Sequence, residues 1–522
     1  MRVDQFRTIF VVSGLFAWYA ATCTPARAQT LTTLPGETSL QQAAGNAVLN
    51  MCAFFKTNYG LVGLSELSAA QQDLYGQCHS LKVASATATT AAGATPLLGA
   101  LQQVSGNEVS TQGALTTRVV AGQFANISGR LNALRLGGLA AIGHGGVTAS
   151  NDDSGADDTP DAVVALDPPP QQLGALLDTA FLPDRAQPLT QASDAGAGYA
   201  NASAGSDASH GPESPWGWFT EGSYSSGHHD PTVNEDPYHF HVASVTVGLD
   251  YNFGNAVLGG SIGYDDYDAD FRALGELVSG GSAQVQGTSG SLYGAWFGQN
   301  WTFNGIATYG RLSSDLSRVV SYTIPNPSGG PFCAPLPATT CAVNQTFKGS
   351  PDGKYNALGA TAGYDVTAAG WNLTPSLSLS YRRADIDGFA ETAGGSGPGA
   401  GLALAYNDQA VESLRTITAA DLSRPFSRSF GIVTPILRVE WDHEFRNNPR
   451  EIQARYAADP SPTCVSCFDI ASDPAPSDYG IAGAGISVLL AHRWQAYAYF
   501  EDLFAAAHYS SDSIAIGIRG QF

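Results

Sequence analysis

The chain has 522 residues, a formal net charge of −21, 59 glycines and only 14% charged side chains. An acidic balance with no basic face excludes nucleic acid as a partner, because phosphate contacts need clustered Lys and Arg. No window beyond the first thirty positions holds eighteen uninterrupted apolar residues, which argues against helical membrane spans.

Residues 1–28 place Arg2 and Arg7 before the mostly apolar run Ile9–Ala21 and close on Ala26-Arg27-Ala28. This order predicts a cleaved export signal. Cys23, preceded by Thr22 and Ala20, fits a lipoprotein site poorly and leaves with the signal.

Residues 29–142 are rich in Ala, Leu and Gln with helical apolar spacing, predicting a small α-helical segment. One helix is expected around Leu40–Phe55. Ser68 and Gln71 form a capping box opening a second over Ala69–Leu81, which brings Cys52 toward Cys78. Thr95-Pro96, a cap followed by a first-turn proline, predicts the start of a further stretch. That stretch carries Val120, Phe124, Ile127, Leu131 and Leu134 at alternating steps of four and three. The stripe is expected to pack within the segment, or else on a partner chain. Gly106, Gly113, Gly122 and Gly129 count against a long coiled coil.

Residues 143–215 are Gly, Ala, Ser, Asp and Pro, with Asp152-Asp153, Asp157-Asp158 and Pro168–Pro170, and read as a disordered linker. The aspartates lack the twelve-residue spacing of a calcium loop. Within the linker, Leu173, Leu176, Leu177 and Phe181 stand at helical spacing, making Gln171–Leu182 a candidate occupant of a pore.

From residue 216 the period changes to two. Leu373, Pro375, Leu377, Leu379 and Tyr381 alternate with Asn372, Thr374, Ser376, Ser378, Ser380 and Arg382. Leu437, Val439 and Trp441 alternate with Arg438, Glu440 and Asp442. Charges at every second position cannot face hydrocarbon cheaply, so they must line a wet lumen. Such runs recur near 216–226, 241–253, 256–267, 283–297, 300–313, 355–367, 371–383, 411–423, 430–443, 479–490, 493–502 and 512–522. The fold expected is an all-β transmembrane barrel of about twelve antiparallel strands, preceded by the helical segment and the linker. Outer-membrane lipid is then its solvent.

The polar phase nominates Asp250, Arg382, Arg415, Arg438, Glu440, Asp442 and Arg519 as lumen residues. They would contact a helix or a passing chain, or simply pair with one another. Cys52 with Cys78, Cys333 with Cys341, and Cys464 with Cys467 read as local disulfides of an exported chain. The C-x-x-C at Cys464 lies in a Pro/Ser/Asp loop without a second ligand pair, so a structural bridge is favoured over redox or metal chemistry. His228, His229, His239 and His241 gather around the first predicted turn and read as polar loop histidines, not metal ligands. No cofactor is expected, and no H-E-x-x-H or P-loop motif in the mature chain suggests an enzyme.

The opening Trp216-Gly217-Trp218, Gly248-Leu249-Asp250, Gly263-Tyr264, the Pro435–Phe445 run and the closing Gly517-Ile518-Arg519-Gly520-Gln521-Phe522 resemble the barrel of monomeric autotransporters of type V secretion. The resemblance covers about residues 216–522. It implies insertion by the barrel-assembly machinery, with Phe522 and the preceding Ile518 and Ile516 as the assembly signal. It also implies a passenger moved to the cell surface, here a short helical one with an unknown surface ligand. A pore or structural barrel with a periplasmic helical segment is the alternative.

Overall fold

The structure, a computed structural model, describes residues 30–60, 63–142, 215–327, 329, 333, 338–490 and 494–521. The signal at 1–28, the linker at 143–214 with its Gln171–Leu182 run, and Phe522 lie outside the described residues.

Twelve antiparallel strands make the wall: β1 Trp216–His229, β2 Tyr238–Asn252, β3 Ala256–Phe271, β4 Gly281–Phe297, β5 Trp301–Pro325, β6 Asp352–Tyr364, β7 Trp371–Ile386, β8 Gln409–Ser423, β9 Gly431–Glu444, β10 Asp478–Leu490, β11 Gln495–Phe504 and β12 Tyr509–Gln521. Each pairs with its neighbour in chain order. β1 closes the ring on β12, from Gly217 opposite Gln521 to His229 opposite Tyr509. Closure leaves no edge strand unpaired.

Burial follows the period-two pattern. In β2 the side chains alternate buried and exposed almost throughout, with Val245, Val247 and Leu249 outside and Ser244, Thr246 and Asp250 inside. An apolar residue at every second position is stable only if the outer surface is not water.

The two mouths differ. At one, strands are joined by short turns such as the one at Gly254, and β1 begins there. At the other the connections are long. β5 alone runs 25 residues; its far half, Leu316–Pro325, pairs with a hairpin strand at Thr340–Gly349. Short strands at Leu404–Tyr406, Glu451–Tyr456 and Phe468–Ala471 add a small second sheet at this mouth.

Among the described residues four α-helices precede the barrel: α1 Ser39–Asn58, α2 Ala69–Ser85, α3 Ala91–Ser105 and α4 Glu108–Ile142. Thr38 with Gln41 and Ser68 with Gln71 are capping boxes at the starts of α1 and α2. α3 begins earlier than Thr95-Pro96 suggests. Thr90 is its N-cap and Pro96 lies inside it, where Thr95 Oγ1 bonds back to the Ala91 carbonyl. It stops at Gly106, whose left-handed φ of 64° breaks the stretch into two helices.

α1–α3 form a cap on the long-loop mouth. Phe55, Leu81, Leu97 and Leu101 share one apolar core with Val320, Ile324, Phe347, Leu404, Tyr456 and Ile470 from the loops. Gln103 accepts from the Ser321 backbone at 2.6 Å, and the Asp73 carboxylate accepts from the amides of Gly399 and Gly401 at 3.0 and 2.7 Å. The disulfides are Cys52–Cys78 between α1 and α2, Cys333–Cys341 and Cys464–Cys467.

Candidate functional site: the occupied lumen

α4 runs down the inside of the barrel. A helix of 35 residues is about 52 Å long, enough to cross a bilayer and protrude. The stripe foreseen to pack within the helical segment packs on the barrel wall instead. Val120 and Phe124 sit among Phe240, Tyr267 and Tyr355, while Ile127, Leu131 and Leu134 meet Phe219, Val257 and Tyr293. The sequence could not specify this partner, because the wall residues lie on strands far away along the chain, even Phe219 being 85 positions from Leu134. Among the described residues α4 fills the role foreseen for Gln171–Leu182, a run that lies outside them.

Two glycines let the helix backbone approach the wall. A Cβ at Gly122 would lie 2.4 Å from Ser244 Oγ and 2.9 Å from Asp265 Oδ1, and one at Gly129 would lie 2.4 Å from Glu221 Oε1. Seven residues apart, they lie on one side of the helix. On the polar side of α4, Gln123 bonds Asp265 at 3.0 Å, Asn126 bonds Thr246 at 2.9 Å and Gln112 accepts from Gln409 at 3.1 Å. Arg130 reaches Asp250 through Nε at 2.9 Å and Nη2 at 2.5 Å. Arg135 reaches Asp365 at 2.7 Å and Asp421 at 3.4 Å. These are buried, charge-assisted contacts in a lumen partly walled by aromatics, where each carries more weight than in water.

All seven lumen candidates lie on the inner face. Asp250 pairs with α4. Arg382 points its guanidinium at the Phe124 ring, 5.6 Å from the centroid. Arg415 pairs with Asp442 at 2.8 Å; Arg438 pairs with Glu440 at 2.8 Å and Asp421 at 3.1 Å. Arg519 is buried with Nε and Nη1 unbonded among the described residues. Some of these side chains therefore hold the helix and others pair along the wall. Ile516 and Ile518 project outward. Arg130, Arg135, Asp265 and Asp421 escaped the sequence reading. The signal for the first two was available: they are two of three arginines in a helical run whose single acidic residue is Glu108.

Outside, the aromatics fall in two rings. Trp216, Trp296, Trp301, Trp371 and Trp494 are exposed toward the short-turn mouth, and Tyr224, Tyr264, Tyr309 and Trp441 toward the other, with leucines such as Leu258, Leu292, Leu358 and Leu377 between. From Trp301 to Tyr309 is about nine residues, the length of strand needed to cross the hydrocarbon. Beyond Tyr264 and Tyr309 the same outward face turns to Asp266, Asp268, Arg311 and Asp315. On the long loops above, burial raises Asp236 to about 6, and burial with the adjacent Asp473 charge raises Glu235 to about 7.

A closed twelve-stranded barrel with aromatic girdles, a polar lumen and a helix through it is a transmembrane translocator-type barrel. The sequence model of the autotransporter beta-domain matches residues 218–501, and the chain belongs to that family. It is accordingly an outer-membrane barrel of a Gram-negative bacterium, of the kind used for secretion. Solved structures similar to it include the translocator domain of the autotransporter NalP from Neisseria meningitidis, 18% identical, covering 60% of this chain and 90% of that one with a TM-score of 0.43. The transport unit of the autotransporter AIDA-I from Escherichia coli is 12% identical, covering 61% and 93%, with a TM-score of 0.36. An uncharacterized protein in the trpE-trpG intergenic region of Pseudomonas putida is 29% identical over 114 residues; the match spans 21% of this chain and 17% of that protein.

Proposed function

We propose that this barrel translocates its own N-terminal helical segment and keeps it at the cell surface as an attached cap, for adhesion or another surface contact. One observation carries the reading: α4 occupies the lumen and joins a cap seated on the long loops to a chain that re-enters the wall from the short-turn mouth. Barrels of this kind keep long loops outside and short turns in the periplasm. A cap sharing its core with those loops is then extracellular and stays with the barrel. An open diffusion pore would need the lumen that α4 fills, so the pore alternative gains no support. Phe522, Ile518 and Ile516 are proposed as the signal that the barrel-assembly machinery reads.

An epitope inserted at the α1–α2 turn beside Gly60, which has nothing within 4 Å of an added Cβ, tests the reading. Antibody labelling of intact cells is expected. Labelling only after the outer membrane is broken would reverse the orientation and remove display.

A further inference from the structure

At the long-loop mouth three side chains from two distant parts of the chain converge. His229 ends β1, Glu235 lies in the β1–β2 loop, and Asp473 lies just before β10. His229 Nε2 stands 3.8 Å from Glu235 Oε2 and 3.7 Å from Asp473 Oδ2, with the His229 and Glu235 side chains 1% and 4% exposed. We propose that these three residues bind one divalent transition-metal ion of the zinc class, stapling the β1–β2 loop to the segment before β10.

The separations select a metal over a direct bond. Both are too long for a hydrogen bond. Ligands of one tetrahedral ion at roughly 2.0–2.2 Å lie about 3.4 Å apart, so the two separations from His229 need to close by only a few tenths of an ångström, and all three ligand atoms lie within 4.8 Å of one another. Imidazole nitrogen with two carboxylates is a donor set that suits zinc and its neighbours better than calcium.

The charges ask for a cation. Glu235 Oε2 is buried without any hydrogen-bond partner. Among the described residues neither Glu235 nor Asp473 has an Arg or Lys within ion-pair distance. Arg450, the nearby guanidinium, is spent on Gln409 Oε1 at 3.2 Å and the Ser110 carbonyl at 2.7 Å. A buried carboxylate left so is costly.

The carboxylates and the ring plane are already held, while His229 Nδ1 is buried without a hydrogen-bond partner among the described residues. The His229 ring stacks on Tyr238 at 5.1 Å and lies 4.5 Å from Tyr509. Thr232 Oγ1 donates to Asp473 Oδ2 at 2.6 Å and Asn234 Nδ2 to Asp473 Oδ1 at 3.1 Å. The Asp473 amide donates to Glu235 Oε1 at 3.1 Å. Outer partners of this sort fix ligands for a metal. Glu235 and Asp473 also line a cavity of about 580 Å³ beside α4, with Arg118 and Tyr509, which supplies an entry path and a free coordination position. The staple bears on the cap, because Asn107, one residue before α4, donates to Asp236 of the same loop at 3.1 Å.

The test uses the full chain in detergent, stripped with a chelator, dialysed against Zn2+ and assayed by elemental analysis. Folding of each variant is verified by heat-modifiable migration on gels. One zinc per chain is expected, with affinity reduced at least about tenfold in each of H229A, E235Q and D473N. It should be unchanged when the exposed pair is removed in H239A/H241A. Co2+ in place of Zn2+ should give a visible absorption band that H229A abolishes. Three results would each overturn the site: no retained zinc in the wild type, zinc affinity of all three ligand variants equal to that of the wild type, or Ca2+ binding indifferent to H229A.

Discussion

Arg130 of α4 and Asp250 of β2 meet inside the barrel through two guanidinium nitrogens on one carboxylate oxygen, both side chains almost fully buried. Tyr293 adds a hydrogen bond to that same oxygen at 3.0 Å, and the Phe219 ring lies 5.3 Å from the guanidinium. The pair fixes the depth of the helix in the lumen. Removing one member strands a buried charge, at a cost of about 3–5 kcal/mol, whereas neutralising both is far milder. R130M should therefore unseat α4 and raise single-channel conductance in planar bilayers, and R130M/D250N should recover most of the closed behaviour. Equal conductance of the single and double variants would mean that other contacts set the helix.

Gly99 of α3 sits against the β3–β4 connection so closely that a Cβ would be 2.3 Å from the Glu276 carbonyl oxygen. A backbone oxygen cannot swing aside as a side-chain tip can. G99V should lift α3 from this loop, break the Gln103–Glu276 bond of 2.8 Å, and expose the loop to protease in the detergent-solubilised protein. The barrel itself should keep its heat-modifiable migration.

Ile516 is 59% exposed in the middle of β12, between Gly222 and Ala498 on its neighbours, and faces lipid. I516R places a cation in hydrocarbon at about 2–4 kcal/mol near the midplane. Gln521 lies at the strand end on the opposite phase. Folding titrations into vesicles should show a large loss for I516R and a small one for Q521R; similar losses would contradict the assigned faces.

Asp459, between the strands at Glu451–Tyr456 and Phe468–Ala471, accepts from the Ser461 amide at 2.7 Å, the Ser466 amide at 3.0 Å and Ser466 Oγ at 2.7 Å. Partial burial pushes its carboxyl up, but these hydrogen bonds outweigh burial and hold it below its ordinary 3.8. A lowered acid contributes stability that is present above the ordinary value and lost as pH falls through the lower folded one. Hydrogen exchange of the 457–468 loop, corrected for intrinsic rates, should stay slow down to pH 3.8 and speed up below it. D459N should exchange faster throughout and show no such step.

The wall was legible because alternation is local: Leu377 and Ser378 declare their faces without reference to any other strand. The loop strands beyond the bilayer were missed: the fifth run ends near 313 in the sequence reading, although β5 keeps its alternation to Pro325 and only its outward residues change from apolar to charged. The position of α4 was illegible for another reason. Val120, Phe124 and Ile127 specify an apolar face, and an apolar face does not name its partner. Gly122 and Gly129, read as weak points of a coiled coil, are contact points with Ser244 and Glu221. The triad of His229, Glu235 and Asp473 was out of reach, because the expectation of loop histidines without ligands rested on neighbours in sequence, whereas Asp473 is 244 positions from His229.

Arg135 anchors the lower part of α4 at Asp365, beside the same mouth where Trp216 opens the first strand, while α1–α3 form a bulky head at the far mouth. The molecule is thus built like a headed rivet through a ring. Severing the chain between the two would remove the covalent tether without freeing either piece, since the head is too wide to slip inward and the shank is gripped by ion pairs against withdrawal outward. Retention of the helical segment is a mechanical property of the threaded helix and does not require an uncut backbone.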